Sequence, residues 1–135
     1  MFSEQQRDIL RETLEWARYN AGRAVFESYD FTSAPVWKQG DWFSIGSYRC
    51  YFVSEVDSWV DGGHPWGATA CVAGYIVCIT RHLRGKDQSP SEEIQDYAED
   101  LLDIPEEVGN WLFFESASEG DVITFLEEAL KNDHW

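Results

Sequence analysis

His64 follows two carboxylates in Asp57-Ser58-Trp59-Val60-Asp61-Gly62-Gly63-His64-Pro65-Trp66-Gly67. Either Asp57 or Asp61 could orient the imidazole as a general base. The other groups such chemistry needs do not occur as motifs: there is no nucleophile elbow around a Ser or Cys, no glycine pattern that cradles phosphate, and no HExxH or CxxC. Cys78 and His82 would face one way on a helix, but a metal needs a further ligand and none lies near in sequence. No cofactor or metal is therefore expected. Trp59 and Trp66 are the other conspicuous residues of the 57–67 segment, because large rings in a Gly/Pro-rich connector either plug their own core or anchor a partner. Three readings follow: self-packed rings, a partner-binding loop anchored by Trp59, His64 and Trp66, or a small-molecule or hydrolytic pocket in which His64 titrates.

The acids form the sharper pattern. Residues 87–133 carry fifteen Asp and Glu against one base, Lys131, whereas residues 1–86 carry ten acids against nine Lys and Arg. A helix is expected over Ser91 to Ile104, and on it Glu92, Glu93, Asp96, Glu99, Asp100 and Asp103 fall within an arc of about 120° with no Lys or Arg among them. They span about 16 Å, or one charge per roughly 2.7 Å, within a factor of two of the value of about 1.7 Å for duplex DNA. Glu106 and Glu107, and Glu115, Glu119, Glu127 and Glu128 if the two C-terminal helices lie side by side, would extend this surface.

An ordinary solvated helix mixes signs, since like charges at i,i+4 cost about 0.2–0.5 kcal/mol per pair. The pattern suits occupation of a basic protein groove better than plain solubility. It suits calcium least, because the DxDxDG loop is absent. The field also disfavours nucleic acid and anionic membranes as direct partners. Arg81-His82-Leu83-Arg84-Gly85-Lys86 is too short for a nucleic-acid patch, and internal pairing with the acidic third accounts for it better.

These residues must be positioned by a folded domain. The chain has 135 residues, enough for one domain with a single core. Its 44% hydrophobic and 16% aromatic content separates it from disordered acidic tails. Residues 1–16 interleave acids and bases with no apolar core, and Gly74 breaks the longest apolar run, so neither a signal peptide nor a membrane span is expected. Cys50, Cys71 and Cys78 lie in apolar stretches, which fits buried thiols in a cytosolic protein.

Ser3 with Gln6 predicts a helix from about Glu4 to Ser28, with Ile9, Leu10, Thr13, Leu14, Trp16, Ala17, Ala21, Ala24 and Val25 inward. Residues 42–45 and 48–56 predict a hairpin about Gly46–Ser47, residues 70–80 a central strand, and residues 111–115 a short strand. Ser89-Pro90-Ser91-Glu92 predicts the start of the acidic helix and Pro105 its end. Ser118 with Asp121 predicts a last helix to about Lys131. The expected fold is α+β, a single domain of order α-β-β-β-α-β-α with about four mostly antiparallel strands under three helices.

By physical profile, small acidic aromatic-rich domains of this kind are suited to inhibiting proteins that act on nucleic acid. Examples are immunity proteins of nuclease toxins and phage anti-defence proteins of the anti-CRISPR type. The expected partner is accordingly a basic nuclease or another nucleic-acid-handling protein.

Overall fold

Two short polar motifs set where the first and last helices begin. Ser3 Oγ accepts the Gln6 amide N–H at 3.1 Å and Gln6 Oε1 accepts the Ser3 N–H at 2.9 Å, a complete capping box that opens α1 (Glu4–Asn20). Ser118 Oγ accepts the Asp121 N–H at 3.2 Å and opens α6 (Glu119–Asn132). The computed structural model describes residues 1–21, 35–40, 42–45, 48–61, 68–83, 93–114 and 117–135. Between these two helices lie β1 (Val36–Trp37), β2 (Phe43–Ile45), β3 (Tyr48–Arg49), α2 (Val53–Asp61), β4 (Ala68–Ala70), α3 (Val72–Leu83), α4 (Ile94–Leu102) and α5 (Glu106–Leu112).

The fold is α+β, with six helices among the described residues rather than three. The sheet is small and mixed, in the order β1-β4-β2-β3. β4 runs parallel to β1 and antiparallel to β2, and β2 runs antiparallel to β3 with Ile45 opposite Tyr48. The Gly46–Ser47 turn lies outside the described residues. So do residues 22–28 of the expected first helix, which ends at Asn20 with Ala21 as its cap.

Three expected strands are helices instead, each for a visible reason. The strand after the hairpin ends at Arg49. Glu55, on the first turn of α2, then accepts the Tyr51 and Phe52 N–H groups at 2.6 and 3.0 Å, so a side chain takes the donors a ladder would have used. Val53, Val56 and Asp57 face inward at helical spacing. Residues 72–83 form α3, whose apolar part, 72–79, is buried against neighbours on several sides, as suits a helix in the middle of a core. α3 packs against α1, α2, α4 and β4 and buries Val72, Ala73, Ile76, Val77 and Ile79. Trp111 and Leu112 end α5, whose first turn carries Glu106 and Glu107 behind Pro105, a favourable order for the helix dipole.

Around α3 the core collects Ile9, Leu10, Leu14 and Ala17 from α1, Ile94, Ala98 and Leu102 from α4, and Val122 and Leu126 from α6. Trp16 stacks on Tyr75 with ring centroids 4.2 Å apart and donates its indole N–H to the Pro35 carbonyl at 2.7 Å. At the other end, Trp135 contacts Phe2 and Phe125 and donates to the Leu102 carbonyl at 2.8 Å, tying the chain end to the end of α4.

Candidate functional site

α4 begins one turn later than its strongest sequence signal. Residues 84–92, with the Ser89-Pro90-Ser91-Glu92 motif and hence Glu92, lie outside the described residues, and the helix opens at Ile94 with Glu93 as its extended N-cap. Its end is set before Pro105 is reached. Asp103 adopts the left-handed conformation (φ 53°), and the Ile104 N–H returns to the Glu99 carbonyl at 2.9 Å.

Ile94, Tyr97, Ala98 and Leu102 are buried, which leaves Asp96 and Asp100 on the outer face with Glu93 exposed at the entry. Asp103, Glu106 and Glu107 continue the exposed acids through the turn into α5. Between Glu93 and Glu107 the chain contains no Lys, Arg or His, and none of these six carboxylates forms an ion pair among the described residues.

Two expected members of the acidic face have other duties. Glu99 is half-buried; its carboxylate lies over Gly109 of α5 and accepts from Gln95 Nε2 at 2.9 Å, which makes it part of the α4–α5 seam. Asp103 is exposed but accepts from Gln6 Nε2 of α1 at 2.8 Å. The surface is not prolonged along α6, because that helix packs chiefly on α1 and its Glu127 pairs with Arg18 at 3.0 Å. Glu115 lies outside the described residues.

Beside the α4 entry the structure opens a cleft of about 310 Å³ lined by Trp42, Tyr51, Phe52, Glu93, Ile94 and Gln95. Tyr51 is 53% and Phe52 43% exposed, unusually high for large rings, and Trp42 meets the exposed Phe114 edge-on with centroids 5.2 Å apart. The segment bearing the two rings is held from both sides. Glu55 grips its N–H groups, Phe52 bridges Glu93, and the Tyr51 carbonyl accepts the Ile94 N–H at 3.1 Å. Exposed rings are thus fixed directly against the first acid of the face. Sequence reasoning missed this cleft because alternation placed Tyr51 and Phe52 in a strand; the signal lay in Glu55, three residues after Phe52, as a helix-entry acid.

The 57–67 segment is divided. Residues 57–61 are the last turns of α2, and His64 and Trp66, with all of 62–67, lie outside the described residues, as does the Trp59 side chain. Asp57 is engaged by an arginine. It is buried and receives both Nε, at 2.8 Å, and a terminal nitrogen of Arg81, whose guanidinium also lies 5.7 Å from the Tyr97 ring centre. Arg81 pairs with Asp57 of α2, and with its contact to Tyr97 it links α2, α3 and α4. Arg84 and Lys86 lie outside the described residues.

The three cysteines form no disulfide; Cys50 and Cys71 are buried and Cys78 is half-buried. Among the described residues no group of His, Cys, Asp and Glu is arranged to hold a metal ion, and no helix is long and apolar enough to cross a membrane. Known family models, curated proteins and solved structures offer no match to this chain, so the functional reading rests on its own residues.

Proposed function

We propose that this protein binds and blocks a basic, nucleic-acid-handling protein through the acidic edge formed by α4 and α5. The supporting observation is the run of six exposed carboxylates, Glu93, Asp96, Asp100, Asp103, Glu106 and Glu107, with no base within the run and no ion pair from it among the described residues. Repulsion within such a run works against the helix. A partner whose groove evolved for phosphates would relieve it and gain attraction at close-spaced charges. An immunity protein of a nuclease toxin and a phage anti-defence protein are the two roles this profile suits.

The test reverses only acids that carry no packing duty: Asp96, Asp100, Glu106 and Glu107 to Lys. Wild-type protein captures a basic partner from cell extract, and an excess of duplex DNA or RNA displaces it, because both compete for one groove. The reversed variant captures nothing. Capture that survives the reversal, or that nucleic acid does not disturb, overturns the proposal.

A further inference from the structure

The cleft beside α4 is built on a backbone segment held by Glu55 and by the bridge to Glu93, and it lies apart from the residues that carry the acidic edge into α5. Its lining combines three aromatic residues, Trp42, Tyr51 and Phe52, with one carboxylate, Glu93. Asp96 stands one turn further along the same helix. The α4 N-terminus contributes about half a positive charge, which these two carboxylates outweigh, so the described lining is net negative. The Gln95 amide is turned toward Glu99 and Asn110, at 2.9 and 3.0 Å, and adds no cation. A volume of about 310 Å³ sits at the lower end of ligand cavities and suits one long side chain.

We infer that this cleft receives an arginine side chain presented by the basic partner, its guanidinium stacked on Tyr51 or Phe52 and paired with Glu93. The inference rests on the acidic-edge reading above and names the side chain that anchors it. Charge complementarity selects a cation, and the exposed rings select a planar, weakly hydrated guanidinium over the compact, strongly hydrated ammonium of lysine. The chain already satisfies a guanidinium in this way internally, where Arg81 is held by the Asp57 carboxylate and lies over the Tyr97 ring. The ring-bearing segment is pinned by Glu55 and by the bridge to Glu93, so little ordering remains for binding to oppose.

Nona-arginine and nona-lysine peptides of equal charge, titrated calorimetrically at 0.15 M NaCl, separate the cleft from the acidic edge. Wild-type protein is expected to bind nona-arginine about fivefold more tightly than nona-lysine, with amide NMR shifts at Tyr51, Phe52 and Glu93 specific to the arginine peptide. Phe52→Leu, which keeps an apolar side chain but removes the ring, should erase that preference while leaving nona-lysine binding nearly unchanged; Glu93→Gln should erase it too, while weakening both peptides because Glu93 also belongs to the acidic edge. Tyr51→Leu is the second ring variant should Phe52→Leu fail to fold, as judged by its thermal transition. Equal affinity for the two peptides, or a preference that survives both the ring and the Glu93 changes, overturns the arginine cleft. If both peptides still bind and both are lost in the Asp96, Asp100, Glu106 and Glu107 reversal, the acidic-edge reading stands without it. If neither peptide binds even at low salt, both proposals fall.

Discussion

Single residues here are worth most where charge is buried. Arg81 is almost fully enclosed, and removing it strands the Asp57 carboxylate between α2 and α3. Arg81→Met should therefore destabilise the protein by about 3–5 kcal/mol in urea unfolding, whereas the double change Arg81→Met with Asp57→Leu should recover much of that loss. Burial pushes the Cys50 thiol up to about 11 and the Cys78 thiol up to about 12. Unfolded Cys78 ionises near the ordinary value of 9.0, so the folded state holds a proton the unfolded state gives up. Its contribution to stability is present below pH 9 and is lost as pH rises toward 12. Cys78→Ala should flatten that part of an alkaline stability profile, and native Cys78 should alkylate far more slowly at pH 8 than in urea.

At the scale of elements, two glycines mark where helices approach other parts of the fold too closely for a side chain. A Cβ on Gly74 of α3 would fall 1.6 Å from the Trp42 carbonyl oxygen, a backbone atom fixed where the chain enters β2. Gly74→Ala should cost about 1–3 kcal/mol by overpacking and should shift Trp42, a wall of the cleft, detectable by NMR. Gly109 of α5 is different, because a Cβ there meets only the end of the Glu99 side chain, 2.1 Å from Oε1. Gly109→Ala made in a Glu99→Ala background should stabilise the protein by about 0.5–1 kcal/mol through helix propensity, and less or not at all with Glu99 present. Thermal melts of the four proteins in this cycle measure the coupling between α4 and α5. These contacts were invisible in the sequence, where Gly74 read as an interruption of an apolar run and Glu99 as one of six equivalent surface acids.

For the molecule as a whole, a formal charge of −15 at pH 7 makes self-repulsion part of its stability. Raising NaCl from about 0.01 M to 0.15 M shortens the Debye length from about 30 Å to about 8 Å, so the melting temperature should rise by several degrees. Neutralising Asp96, Asp100, Glu106 and Glu107 to Asn or Gln should raise the low-salt melting temperature and reduce its salt dependence. Equal salt slopes for the two proteins would show that the repulsion is spread over the whole surface and not concentrated along α4 and α5.

Local signals were legible in the sequence: the capping box at Ser3, the N-cap at Ser118, the inward face of α1 up to Ala17, the hairpin register and the inward face of α6. Each depends on residues within one or two turns of one another, as Ser3 with Gln6 and Ser118 with Asp121 do. The sequence also determined that negative charge is concentrated after residue 87. That residues 72–83 are a helix was settled by packing, because the apolar stretch 72–79 has no period to read and its form is set by the neighbours that enclose it. The same holds for the acids. Sequence spacing put six carboxylates on one arc, but packing against Gly109 drew Glu99 into a seam, and Gln6 engaged Asp103. The aromatic cleft belongs wholly to this second category, since Trp42, Phe52 and Glu93 come from distant parts of the chain and meet only when Tyr51 and Phe52 pair with Glu93 and Ile94.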